Sequence, residues 1–187
     1  MGEVLYRSSL ESPIGKIELM TTKNGLAVLH LGRLTRRRLE GWARQCFPDA
    51  AIVDARKEHR LFTKQLGEYF SGRRRIFDIP LDMRGSEFQK AVWTEVANIP
   101  FGSTVTYGEI AHIMGRPRAS RAVGAANGAN PVPIVVPCHR VIGSNGSLTG
   151  YGGGLARKRW LLAHEGVLGA EPVQMGLFRS RSVKVGK

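Results

Sequence analysis

Between Glu109 and Glu165 the chain has no acidic residue, while Arg116, Arg118, Arg121, Arg140, Arg157, Lys158 and Arg159 fall inside that interval. So long a run without a carboxylate reads as a surface kept clear for phosphates, although a plainly soluble basic face has the same charge pattern. Acids are scarce throughout: 15 stand against 28 basic residues, a net charge of +13. That balance suits a polyanionic partner. Cysteine is almost missing, with only Cys46 and Cys138. Two distant cysteines with no export signal argue against a structural disulfide and rule out a cysteine-rich zinc site. The five histidines show no metal-ligand spacing, so neither metal nor cofactor is expected. No run of about 18 apolar residues exists to cross a membrane. The start, Met1 to Leu10, carries Glu3 and Arg7 and lacks the apolar stretch of a signal peptide, so a cytoplasmic location is expected.

What is present reads as an α+β chain. Val4–Leu10, Lys16–Thr21 and Leu26–Leu31 are short, partly alternating runs split by Ser12-Pro13 and Asn24-Gly25, the pattern of an antiparallel meander. Lys57–Ser71 puts Leu61, Phe62, Leu66, Tyr69 and Phe70 at helical spacing before Gly72. The triplets Arg36-Arg37-Arg38 and Arg73-Arg74-Arg75 read as solvated loops or helix ends, and Ile76–Leu81 as a short extended piece. The character changes around Asp82–Gly85. Ser86 to Gln89 and Thr106 to Glu109 each have the form of a capping box. The second opens a short helix ending at Gly115; Pro117 starts the next, and Ser120–Gly128 follows as a helix of small residues. Two such helices in a basic region fit a helix-turn-helix, although any helical hairpin would look alike. Ile134-Val135-Val136 is a brief buried run closed by Pro137, Gly143–Gly154 is a glycine-rich loop, and Arg157–Glu165 is a closing helix with Trp160, Leu161 and Leu162 inward. The expected organisation is a small N-terminal α/β domain with an antiparallel sheet (1–83), a mainly helical C-terminal domain with the helix-turn-helix and an active-site loop (84–168), and a loose basic tail (169–187).

Cys138 is the candidate nucleophile. A thiol needs a base or a positive field to form thiolate near neutral pH, and His139 and Arg140 follow it directly. Glu165, the one acid between Glu109 and Glu171, ends an apolar helix and could hold the histidine in its charged form. For an isolated Cys-His pair, an inert buried cysteine beside a chance histidine is the commoner case.

The longer string decides. Asn130-Pro131-Val132-Pro133-Ile134-Val135-Val136-Pro137-Cys138-His139-Arg140-Val141-Ile142-Gly143 resembles the active-site signature of the O6-alkylguanine-DNA alkyltransferases. The resemblance runs upstream through Arg121 to Asn127 and downstream through Thr149 to Gly154 and Trp160 to Gly166. Ser12-Pro13-Ile14-Gly15 matches more loosely. The resemblance implies repair of O6-alkylguanine (with O4-alkylthymine a further candidate) in double-stranded DNA, one alkyl group per molecule, by a protein that is monomeric or assembles cooperatively on DNA. It implies that Cys138 accepts the alkyl group, His139 acts as base through a water, Glu165 holds His139, and Asn130 braces the loop. Tyr107 would press on the target phosphate and donate to the departing guanine, and Arg121 would fill the gap of the flipped base. Ser120, Ala122, Gly124, Ala125, Asn127 and Gly128 would line the DNA-facing helix in the minor groove, which their small size supports independently. Pro133, Val141, Tyr151, Gly152 and Gly153 would form the substrate pocket.

Gly152 stands where some members have serine, so one hydroxyl donor to the guanine is absent and the loop is roomier. Some animal members carry an N-terminal zinc site, but the matching stretch here has no cysteine. Three other readings remain at this stage. They are a non-catalytic alkylation-damage binding protein, a thiol hydrolase, and a helix-turn-helix regulator with a redox-sensing cysteine.

Overall fold

The computed structural model describes residues 2–32, 36–55 and 59–168. The basic tail, 169–187, lies outside the described residues, as do Lys57 and Glu58 at the head of the expected helix Lys57–Ser71. Strands β1 (Val4–Ser12), β2 (Gly15–Thr22) and β3 (Gly25–Leu31) form the expected meander. Pro13-Ile14 and Lys23-Asn24 make the two turns, with Ser12 opposite Gly15 and Thr22 opposite Gly25.

In the N-terminal half two elements were not foreseen: helix α1 (Arg36–Cys46) and strand β4 (Ala51–Asp54). They form one crossover that returns β4 parallel to β1, giving the sheet order β3-β2-β1-β4. Arg36 and Arg37 open α1, so that triplet is a helix end. Helix α2 (Arg60–Phe70) follows, and His59 at its head sits between the hydroxyls of Ser8 on β1 and Thr21 on β2. The extended piece before Asp82 is no strand of its own. It straps the β3 edge: Leu26 N–H donates to Pro80 O (2.8 Å) and Asp82 N–H to Leu26 O (2.9 Å).

Both foreseen capping boxes are formed, Ser86 with Gln89 on α3 (Glu87–Ala97) and Thr106 with Glu109 on α4 (Tyr107–Ile113). Short strand β5 (Val105–Thr106) precedes α4 and pairs in parallel with β6 (Val141–Ile142). Pro117 lies in the turn between α4 and α5 (Ser120–Gly128) rather than at the head of a helix. The alanines and glycines of α5 allow close approach, and Trp93 Nε1–H on α3 donates to Ala126 O at 2.9 Å. Helix α6 (Leu155–His164) closes the described chain. Gly166 ends it at φ +78°, the left-handed cap that glycine supplies.

The sheet buries both faces. Leu5, Met20, Ala27 and Val28 pack with Ala43 of α1 and with Phe47, the residue after that helix. Ile17, Leu19, Leu29 and Leu31 join a continuous core with Tyr69 of α2, Trp93 of α3, Val123 of α5, Cys138 and Leu161 of α6. The two halves of the chain thus share one interior, and that shared interior places Cys138. Among the described residues no helix is long and apolar enough to cross a membrane.

The strap over β3 depends on Gly25. Its φ is +149°, and a Cβ there would stand 2.4 Å from Pro80 O. Gly25→Ala is expected to cost about 2–3 kcal/mol in urea unfolding. A loss within experimental error would show that the strap shifts freely.

Candidate active site

Asn130 builds the loop that delivers the cysteine. Its side-chain oxygen accepts from Val132 N–H (3.0 Å) and its amide donates to Val136 O (2.8 Å). Between those ends Ile134 holds φ +77° while its side chain is fully buried. A β-branched residue there is strained, at about 1–3 kcal/mol, which burial of the side chain offsets. The expected buried run is therefore a braced turn and not a strand. Pro137 then starts the 3-10 turn Cys138–Arg140, all three of whose side chains are buried.

Cys138 lies on a cavity of about 490 Å³. Pro133, Tyr151, Gly152 and Gly153 line it as expected, together with Asn127 and Asn130. Val141 does not. It is wholly buried, and its carbonyl accepts Lys158 Nζ–H at 2.6 Å. Sequence reasoning missed an entire wall, Val28 to Leu31 of β3. Gly153 is required where it stands, because a Cβ would lie 2.6 Å from the Tyr151 ring and 2.9 Å from Leu31.

His139 and Glu165 meet as expected, with 2.9 Å between Nε2 and Oε1. Glu165 also binds Arg140 through two contacts (Nε to Oε2, 2.8 Å; Nη2 to Oε1, 2.9 Å) and accepts from Tyr69 O–H at 2.8 Å. Arg140 Nη1–H donates to Ile99 O at 2.6 Å. These donors hold the Glu165 carboxyl down at about 2, although burial alone would raise it. Burial lowers the His139 pKa, with Glu165 pulling the other way. An ionised Glu165 takes the Nε2 proton, so Nδ1 is the basic nitrogen, an assignment made from the hydrogen-bond network. Nδ1 is buried and has no partner. The Cys138 thiol is pushed up to about 11 by burial, against the pull of Asn130 and Lys158.

Tyr107 opens α4, its ring beside Gly124 and its hydroxyl donating to Thr149 O at 3.2 Å. Burial raises its pKa, so it keeps its proton. On α5 the expected DNA-facing residues divide. Arg121, Ala122, Ala125 and Gly128 are exposed, and Ser120 and Gly124 are half-buried. Asn127 turns inward instead: it is buried, and its amide donates to Cys138 O at 3.3 Å. Its place in the helical period puts it on the Val123 face, so it braces the cysteine rather than meeting DNA.

Lys158 was read only as surface charge. It is fully buried, and Nζ–H donates to Val141 O and to Thr149 O (2.7 Å). Burial brings its pKa down to about 8. The signal was available, since Lys158, Leu161, Leu162 and Glu165 share one helical face. Among the described residues no cluster of His, Cys, Asp or Glu could hold a metal.

Comparison with known proteins agrees along the chain. Residues 87–167 match the DNA-binding domain of 6-O-methylguanine DNA methyltransferase, and residues 5–83 its ribonuclease-like domain. A methylated-DNA–protein-cysteine methyltransferase of Mycolicibacterium paratuberculosis is 49% identical over 164 residues, 86% of this chain and 91% of that one. An inducible protein of the same name from Bacillus subtilis is 42% identical over 84% of this chain and 88% of its own. The crystal structure of Mycobacterium tuberculosis OGT in complex with DNA superposes with a TM-score of 0.73 at 42% identity, covering 86% of this chain and 92% of that one.

Glu165→Gln is expected to cost about 3–5 kcal/mol at neutral pH, because it leaves Arg140 buried without its counter-charge. The folded carboxyl titrates below its ordinary value, so its contribution is whole above pH 4.5 and fades as pH falls toward about 2. Denaturant titrations of both proteins should converge over that range. A gap independent of pH would exclude a charge-based role.

Proposed function

This chain belongs to the 6-O-methylguanine DNA methyltransferase family, and from that premise we propose that Cys138 takes the alkyl group of O6-alkylguanine onto its own sulfur. The activity is DNA repair by alkyl transfer to cysteine; its relatives are named methylated-DNA–protein-cysteine methyltransferases. One observation carries the assignment of residues. Cys138 borders the cavity, and the next residue is an imidazole whose free Nδ1 is set by Glu165. A damage-binding protein without chemistry would need no such base behind a buried thiol.

The O6 atom of guanine lies inside the stacked duplex, so the nucleotide must first turn out. That costs a few kcal/mol and is easier for a damaged base. The exposed small residues of α5, Ala122, Ala125 and Gly128, suit close approach to the minor groove. Arg121 on the same face would occupy the vacated stack. The Cys138 proton passes to His139 Nδ1, directly or through one water, and Glu165 stabilises the resulting imidazolium. The sulfur attacks the alkyl carbon. The S–C bond forms as the C–O6 bond breaks, and the electron pair stays on guanine. Tyr107 supplies a proton to that leaving group, a contribution on the order of 10²–10⁴ in rate. The product is a thioether that no group in the cavity can cleave, so each molecule acts once. Acceptor, base and cavity all come from one chain, so a monomer suffices.

Mixing the protein with duplex DNA carrying one O6-methylguanine should add about 14 Da to each chain. Cys138→Ala should abolish the gain, and an unchanged mass with DNA binding retained would favour the damage-binding reading. Arg121→Ala is expected to slow repair in duplex DNA on the order of 10-fold or more, yet spare reaction with free O6-alkylguanine base. Equal loss on both substrates in single-turnover assays would remove the finger role.

A further inference from the structure

We propose that Tyr69, on α2 of the N-terminal half, is a positioning residue of the alkyl-acceptor site that acts through Glu165. The proposal rests on the reading of Cys138, His139 and Glu165 above. Tyr69 is wholly buried, and its hydroxyl donates to Glu165 Oε1 at 2.8 Å. The same oxygen takes His139 Nε2 at 2.9 Å and Arg140 Nη2 at 2.9 Å. The tyrosine ring is fixed on every side, with ring centroids of Phe70, Phe77, Phe101 and His164 at 5.4, 5.5, 6.3 and 5.1 Å. Its carbonyl is bound by His164 Nε2 at 2.8 Å. So immobile a donor holds the carboxylate in the orientation His139 needs.

Two more contacts from the same half hold the site. Leu29 N–H of β3 donates to Pro131 O (2.8 Å) in the cysteine loop. Arg157 joins Ile14 O of the β1–β2 turn (2.8 Å) to Gly153 O of the glycine loop (2.9 Å). These two place walls; among the described residues of the N-terminal half, Tyr69 is the one whose side chain is hydrogen-bonded to Glu165.

Three donors share one carboxylate oxygen, and each disperses part of its charge. Without the tyrosine hydroxyl, Glu165 draws the His139 Nε2 proton harder, and Nδ1 becomes more basic. The groups facing this pair are Cys138 and Arg140 from the 3-10 turn, Lys158 and His164 from α6, Gly102 N–H, and Tyr151 from the glycine loop. Tyr69→Phe touches none of them directly except His164, whose edge-on contact with the ring it keeps. Transfer requires neutral His139, so a more basic imidazole moves the acid limb of the rate profile to higher pH.

The test is single-turnover transfer from duplex O6-methylguanine DNA to Cys138, followed by protein mass across about pH 5–8. Tyr69→Phe should raise the acid limb by about half a unit, the scale of one neutral hydrogen bond. Incorporation of 3,5-difluorotyrosine at Tyr69, a stronger donor, should move it to lower pH. Phe77→Leu removes one of four ring neighbours but keeps the hydroxyl on Glu165, and should lower stability with the limb unmoved. A limb unchanged by both Tyr69 replacements, or moved equally by Phe77→Leu, would overturn the role of Tyr69 and leave the transfer reading intact. Wild-type protein that shows no pH-dependent transfer to Cys138 would overturn the underlying reading, and the Tyr69 role with it.

Discussion

One buried carboxylate organises this molecule. Glu165 collects donors from three stretches distant in sequence: Tyr69 on α2, Gly102 before β5, and His139 with Arg140 in the 3-10 turn. A charge taken out of water costs several kcal/mol and persists only when every lone pair is used. Here the compensation is also the wiring. The contacts that make burial of Glu165 tolerable also select which histidine nitrogen, Nδ1, is left without a partner. Arg140 is a counter-charge in this arrangement rather than a phosphate ligand, although its place in an acid-free stretch suggested the latter.

The N-terminal half is part of this site and not an appendage to it. β3 forms one wall of the cavity, and the same strand's amide holds the loop ahead of Cys138. Ile17, Leu19 and Leu29 on one sheet face pack into the core that contains Cys138. The glycine loop is tied to the β1–β2 turn by Arg157, which gives the Ser12-Pro13-Ile14-Gly15 motif a physical purpose. Its turn presents the Ile14 carbonyl that anchors the loop.

Legibility in the sequence followed the range of the interactions. The meander, both capping boxes and the small-residue helix are local patterns, and each formed where spacing placed it. Helix α1 and strand β4 were missed because their stability comes from packing on a sheet face and pairing with β1, neither of which is a short-range signal. The Cys138–His139–Glu165 relay was legible through adjacency and the scarcity of acids. Asn127 was misplaced, since sitting on α5 does not say which face of α5. Lys158 was misread because charge suggests surface, whereas its helical period with Leu161 and Leu162 points inward. Tyr69 was read as one more apolar residue of α2; only the folded chain shows where its hydroxyl goes.

Burial poses a problem that the site resolves by proton exchange rather than by standing charge. It pushes the thiol up to about 11 and lowers the imidazole, so near neutral pH the resting pair is uncharged. A standing thiolate would need a fixed cation, and Lys158, which pulls on the thiol, is turned to two backbone carbonyls and is itself weakened to about 8. In the transfer proposed above, the proton leaves the sulfur for His139, and Glu165, already bound to that ring, stabilises the imidazolium. Thr149 O accepts both Lys158 Nζ–H and Tyr107 O–H, so the lysine also helps fix the carbonyl that holds the tyrosine hydroxyl. Withdrawing the proton from sulfur and supplying one to the leaving group are thus held by separate parts of one network. Lys158 lies on α6 and Glu165 is the residue that caps its C-terminal end, so one helix positions both.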